Sequence, residues 1–155
     1  MAKNETYEDI LTSSWDDIPV PQLLPGGSWE LKALGATFKK AQSDDKSDQV
    51  NFTYEPTDPL SDVSDAALEE LGADYDYANN KLFAQFFVAN PSDWDRVRKH
   101  IIKHGVDLTG LTLEEGLKAV RGKRINGHVS TRQYVDKNEE SVTVNQVKDF
   151  VAVTD

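Results

Sequence analysis

Between Lys118 and Tyr134 the chain reads Lys-Ala-Val-Arg-Gly-Lys-Arg-Ile-Asn-Gly-His-Val-Ser-Thr-Arg-Gln-Tyr, with Lys118, Arg121, Lys123, Arg124 and Arg132 and no acid. These residue types suit contact with an anion. From Ile125 the sequence alternates as a strand does: Ile125, Gly127, Val129 and Thr131 share one face, and Arg124, Asn126, His128, Ser130, Arg132 and Tyr134 the other. Cations, amides and an aromatic ring on one face are the mixture that single-stranded nucleic acid binds, phosphates on the cations and bases on the ring. A half-buried strand with a wet polar face alternates in the same way, so the pattern alone leaves both readings open.

Other chemistry is scarce. His100 and His104 stand four apart in a helical pattern, a spacing that could face one metal ion, but Ile101 follows His100 and the third histidine, His128, is distant. Two histidines on a basic helical face, Arg96 to His104, is the reading preferred here, and no metal or other cofactor is expected. Asp44, Asp48 and Glu55 fall at ligand positions of a calcium loop, yet Lys46 and Gln49 occupy places that need a ligand and a glycine. There is no phosphate loop, no GxGxxG, no GxSxG and no thiol. The carboxylates lie in loop-like acidic runs that suit a solvated surface better than acid–base work. Nothing in the sequence argues for an enzyme.

The length of 155 residues fits one domain with a real core, and 38% hydrophobic with 28% charged residues fits a soluble globular chain. Without cysteine there is no disulfide and no thiolate metal site. The first residues lack an apolar signal region and no run is long enough to span a bilayer, so no membrane partner and a cytoplasmic location are expected. The formal charge of -10 looks hostile to nucleic acid, but it is unevenly placed. Residues 1–77 hold 17 acids and 5 bases; residues 78–155 hold 10 acids and 12 bases. The acidic half suits a solvated surface, a dock for a basic partner or a screen against promiscuous binding.

These residues need elements to position them. Tyr7, Ile10, Leu11 and Trp15 recur at helical spacing, predicting a short amphipathic arm over Asn4–Ile18, followed by an extended connection through Pro19, Pro21, Pro25, Gly26 and Gly27. The domain proper is expected over residues 28–155, after an arm of residues 1–27. Ser28–Lys40 alternates as a strand with a bulge or bend at Gly35, and Asp48–Glu55 pairs with it as a hairpin before the breakers Pro56 to Pro59. Ser64 caps a short helix through Leu71 that Gly72 stops. Lys81–Ala89, the most apolar run, predicts a buried central strand; Pro91 opens a helix through His104, ended by Gly105. A helical piece over Thr112–Val120 leads into the basic strand, and Ser141–Val153 makes the last strand, with a bulge near Asn145 or Gln146.

The order strand, strand, strand, helix, strand, strand, with flanking helices, is that of a mainly β, five-stranded OB-fold-like Greek-key barrel with its helix between strands 3 and 4. The expected core is Trp29, Leu31, Val50, Phe52, Leu82, Phe86, Val97, Ile101, Ile125, Val129, Val142 and Val144. Phe83 and Phe87 face opposite to Leu82, Ala84, Phe86 and Val88: either they are open for stacking or the Pro91 helix covers them, leaving Tyr54 and Tyr134 as the platform. The candidate nucleic-acid contacts are therefore Arg124, His128, Arg132, Tyr134, Lys123, Arg121, Tyr54, Phe83 and Lys39.

Three pieces of the chain carry a family resemblance: Trp15-Asp-Asp-Ile-Pro-Val-Pro with Leu24-Pro-Gly-Gly-Ser-Trp-Glu-Leu, then Val120-Arg-Gly-Lys-Arg-Ile-Asn-Gly-His-Val-Ser-Thr-Arg, then Val144-Asn-Gln-Val-Lys-Asp-Phe. Together they resemble phage-encoded single-stranded-DNA-binding proteins of OB-fold type from replication and recombination modules. The resemblance implies sequence-tolerant binding of single-stranded DNA, with replication or recombination proteins as further partners and self-association open. The C-terminal Phe150-Val-Ala-Val-Thr-Asp departs from the acidic tail of bacterial single-strand binders, which leaves recruitment through such a tail in doubt. A structural or protein-interaction module, such as a virion component or an acidic nucleic-acid mimic, competes on the strength of the acidic first half.

Overall fold

Alternation of large apolar residues with polar ones builds the sheet. The structure, a computed structural model, describes residues 23–72, 75, 77 and 80–153; the arm expected over Asn4–Ile18 lies outside them. Strand β1 (Gly27–Lys39) buries Trp29, Leu31 and Ala33 and turns Glu30 and Lys32 outward. Its register on β2 (Asp48–Pro59) passes from Ala33 opposite Tyr54 to Gly35 opposite Thr53, so Leu34 is the extra residue of a bulge at the expected glycine. The hairpin is as expected, but β2 does not stop at Pro56. Its pairing with β3 (Leu82–Val88) ends at Tyr54, so both prolines lie where no neighbour asks for their missing N–H on that side. A second bulge skips Thr57, whose hydroxyl donates to the Glu30 carbonyl at 3.0 Å.

Three helices stand among the described residues. Ser64 caps α1 (Asp65–Leu71), and Gly72 takes a φ of 81° at its end. The Asn90 side chain accepts from Asp93 N–H at 3.0 Å at the head of α2 (Pro91–Lys103), whose first residue is a proline with no N–H to satisfy. Thr112 and Glu115 form a reciprocal capping box on α3 (Leu113–Ala119). Strand β4 (Arg124–Val135) and strand β5 (Ser141–Val151) complete one antiparallel sheet in the order β3-β2-β1-β4-β5.

The protein is thus mainly β, with one five-stranded antiparallel sheet and α2 and α3 between its third and fourth strands. Its edges, β3 and β5, are not paired with each other, though Cα atoms of the two come within 8 Å. The apolar run Leu82–Val88 is therefore an edge strand, not a central one: Leu82, Ala84 and Val88 face the core and Phe83 and Phe87 face out. The bulge in β5 is also displaced. His128 pairs with Lys148 and Asn126 with Val151, which places the irregularity at Asp149 (φ 54°) and leaves Asn145 and Gln146 in regular register. This bulge brings Phe150 inward, with ring centroids 5.5 Å from Tyr54 and 4.7 Å from His100.

Nine of the twelve expected core residues are buried, among them Trp29, Phe52, Ile125 and Val129, none of which exposes any surface. Phe86 is half-buried against the core. Val142 and Val144 lie opposite Tyr134 and Arg132, and directly opposed residues share a face, so these valines belong to the polar face of the sheet and are only half-buried. At Gly127 the chain needs the absence of a side chain: a Cβ there would stand 2.5 Å from Val147 Cγ2 and 3.1 Å from Leu31 Cδ1.

Candidate nucleic-acid interface

The register sorts the candidate residues into rows on the outward face. Lys39, Gln49 and Phe87 stand opposite one another across β1, β2 and β3, and Gly35, Thr53 and Phe83 form a parallel row. Phe83 and Phe87 are 64% and 55% exposed, and α2 does not cover them. Gln85 lies between them and donates to Gln49 Oε1 at 2.6 Å, holding a polar rung between two rings about 13 Å apart along the strand. Lys39, Lys40 and Lys46 line a small hollow at the tip of the β1–β2 hairpin beside this row.

Farther across the sheet, Lys32 faces Arg124 on β4 and Glu55 on β2. Arg124 makes an ion pair with Glu30 at 3.1 Å. Arg121 and Lys123 are exposed in the turn between α3 and β4, where Gly122 N–H donates to the Ala33 carbonyl and Ala33 N–H to the Lys123 carbonyl, both at 2.8 Å. His128 is half-buried opposite Ser28 and Lys148. Next to it, the Asp62 carboxylate accepts from Ser28 N–H at 2.8 Å and from its hydroxyl at 2.9 Å, and these bonds, with a smaller pull from His128, hold Asp62 below the usual carboxylate range.

Beyond Val129, β4 has lost β1 and pairs with β5 alone, so Ser130–Val135 and its partner run out as a two-stranded ribbon. Arg132 and Tyr134 sit on this ribbon, the guanidinium carbon 5.6 Å from the ring centroid, with Tyr134 42% exposed. The nine candidates are consequently not one cluster. Phe83 and Lys39 belong to the hairpin end, Arg121, Lys123 and Arg124 to the middle, and Arg132 and Tyr134 to the far ribbon. Lys39 and Tyr134 are separated by roughly 55 Å of strand contour.

Tyr54 is not a stacking residue. It exposes none of its surface, and its hydroxyl lies between His100 Nε2 at 2.7 Å and His104 Nε2 at 2.8 Å. The two histidines do not form a basic helical face either; each is only 4% exposed. His104 Nδ1 is 2.8 Å from the His100 carbonyl, which can only accept, so Nδ1 carries the proton and Nε2 accepts from Tyr54. The Tyr54 oxygen in turn accepts from His100 Nε2–H. Burial, then the neighbouring His104 and Lys103, depresses His100 to about 3, and burial likewise lowers His104 while raising Tyr54. All three are neutral at pH 7.

The sequence did carry a signal for this network. Val97, His100, Ile101 and His104 recur at three, four and seven, the spacing of one helical stripe, and Tyr54 continues the inward set Val50, Phe52. Phe87, weighed together with Phe83 but left out of the candidate contacts, is exposed because it lies on the outer face of an edge strand. Three other basic residues of this helix are neutralised locally: Arg96 pairs with Asp93, and Arg98 and Lys99 both pair with Asp95, while Lys103 makes no ion pair with a described acid. No helix among the described residues is long and apolar enough to cross a membrane. No family model matches the chain, and no curated protein matches it.

Proposed function

We propose that this protein binds single-stranded DNA with little regard to sequence, in phage DNA replication or recombination, through the outward face of an OB-fold-like Greek-key barrel. The observation that carries this reading is the pair Phe83 and Phe87, two exposed rings on the outer face of β3, in rows that end on Lys39 and Gly35. Exposed aromatics of this size cost free energy in water, and bases have a face for each ring. Cations complete the surface. Lys39 lies two strands from Phe87 in the same row, and Lys32 and Arg124 lie two and three strands from Phe83 and two residues farther along, about 12 and 16 Å away. The strand order and the near approach of β3 to β5 support the barrel reading. Arg132 and Tyr134 on the ribbon then form a separate contact for the same strand of DNA, and cytoplasmic replication or recombination proteins are its companions.

The test is titration of a labelled oligonucleotide at several salt concentrations. Phe83→Ala and Phe87→Ala each weaken binding by about 1–3 kcal/mol with an unchanged salt slope, because stacking releases few counterions. Lys39→Ala flattens the slope by about 0.7. An alternative, a protein-interaction module without DNA binding, is favoured by one observation, the exposed apolar residues Phe38, Leu111 and Leu113 around Trp94. Oligonucleotide binding that is absent at low salt decides for that module.

A further inference from the structure

The last turn of α2, the α3–β4 turn and the end of β5 border an open hollow of about 300 Å³. Three cations line it, Lys103 from α2, Lys123 from the turn and Arg124 from the start of β4, and no described acid does. Elsewhere on the helices the cations are neutralised one turn away: Arg96, Arg98, Lys99 and Lys118 each pair with a carboxylate three or four residues back. Lys103 has Lys99 and His100 at those places, and neither it nor Lys123 makes an ion pair with a described acid. Arg124 stands between the hollow and the outward face, where it pairs with Glu30. Like charges that converge on one hollow repel, and an anion placed among them turns that repulsion into attraction.

The backbone leaves room for such a ligand. Gly105 and Gly122 line the hollow with φ of 82° and 83°, which favours glycine, and nothing stands within 4 Å of where a Cβ would be at either. Their N–H groups already donate to the Ile102 and Ala33 carbonyls at 2.9 and 2.8 Å, so both turns are fixed and the donors left for a ligand are the side-chain cations. Ile102, 51% exposed, and Val153 make another part of the wall apolar. We propose that this hollow binds the phosphate group of a nucleotide, its oxygens on Lys103, Lys123 and Arg124 and its sugar against Ile102 and Val153. Phosphate oxygens can be shared between ammonium groups and the guanidinium fork. Two sources present such a group: a DNA strand that leaves the outward face past Arg124, or a free nucleotide. The site goes beyond the reading of the outward face, since Lys103 and Lys123 take no part in the contacts proposed there.

Amide NMR of the full chain at fixed ionic strength reads the site at Gly105, Gly122 and Lys123. Thymidine monophosphate is expected to shift these signals saturably where thymidine does not. Lys103→Ala and Lys123→Ala, both at exposed residues whose loss leaves the fold intact, are each expected to weaken that binding about fivefold or more. An oligothymidine that shifts the same signals at roughly tenfold lower concentration identifies the strand as the source, because the outward face holds it nearby, and each lysine variant then flattens its salt slope by about 0.7. An oligothymidine that needs as much or more, or does not shift them, identifies the free nucleotide. Signals that neither ligand shifts, or lysine variants that bind both as the parent does, overturn the proposal. Oligothymidine binding that Phe83→Ala weakens and Lys103→Ala and Lys123→Ala do not, with no shift from thymidine monophosphate, overturns this site alone and leaves the outward face standing. Shifts from polyglutamate but from neither nucleotide overturn it in favour of an acidic protein partner.

Discussion

Mild acid should loosen this protein, because His100 and His104 are held neutral in the core. His100 titrates near 6.5 in an unfolded chain and about 3 in the folded one. Its folded value is depressed, so the unfolded state binds the proton first; full stability holds above pH 6.5 and is lost as pH falls from there toward 3. At pH 4.5, two units below the unfolded value, His100 alone removes about 2–3 kcal/mol at 1.36 kcal/mol per unit. His104 is lowered in the same direction and adds to the loss. For a domain of this size the effect is a fall in Tm of about 5–10 °C between pH 7 and pH 4.5. The groups facing the pair make the cost hard to avoid: Phe52, Phe86 and Phe150 surround His100, and the nearby charge, Lys103, is of the wrong sign. The exposed carboxylates held low by hydrogen bonds, Asp62, Asp93, Asp95, Asp107 and Glu115, lose their contributions only at or below the ordinary carboxylate range, so the window from pH 6.5 to 4.5 belongs to the histidines. Thermal unfolding followed by tryptophan fluorescence at stepped pH measures this, with His100→Gln as the comparison. The variant starts less stable at pH 7 and has a flatter profile. A parent midpoint that stays level from pH 7 to 4.5 refutes the buried, neutral network.

Tyr54 gives the alkaline counterpart: burial raises its phenol, so stability persists below pH 10 and falls above it, and Tyr54→Phe, which removes that titration, should cost about 1–3 kcal/mol at pH 7 through the two unpaired imidazole nitrogens. Gly127→Ala forces a methyl group against Val147 and Leu31 and should destabilise by about 1–3 kcal/mol in urea unfolding. Asn145→Ala releases both hydrogen bonds to Leu24 and should cost about 1–2 kcal/mol, with raised hydrogen exchange at Leu24 as the local sign.

Strand and helix limits were legible wherever local chemistry sets them. The bulge at Gly35, the Ser64 cap, the Gly72 stop and the proline opening α2 are decided by one or two residues each, and they stand where the sequence puts them. What depends on distant neighbours was not legible. The run Leu82–Val88 reads as buried on both faces because nothing within it reports that only β2 lies alongside. Likewise the register of β5 on β4 turns Val142 and Val144 outward, and valine alternation alone cannot say which face is inner. His100 and His104 were read as basic because histidine is polar by type, although their spacing with Val97 and Ile101 places them on the inner stripe.

The net charge of -10 does not by itself exclude an anionic ligand, because what such a ligand meets depends on where the charges lie, and many of the described acids are held in place within the fold. Asp48 accepts from Ala41 N–H, Asp62 from Ser28, Asp93 from Ala89 N–H, Asp107 from Thr109 N–H, Glu115 from Thr112 N–H, and Asp136 from two amides of the β4–β5 turn. Others neutralise Arg96, Arg98, Lys99 and Lys118 of α2 and α3. Lys39, Arg121, Lys123 and Arg132, in contrast, make no ion pair with any described acid, and they lie on or beside the outward face of the sheet. A protein can therefore be acidic in sum and still present cations where a phosphate backbone would run. Arg124 is the intermediate case, already paired with Glu30, so a phosphate must compete for it. Replacing Glu30 by Gln should then tighten oligonucleotide binding and steepen its salt dependence, whereas weaker binding in Glu30→Gln, with the fold intact, would show that the pair positions Arg124 more than it masks it.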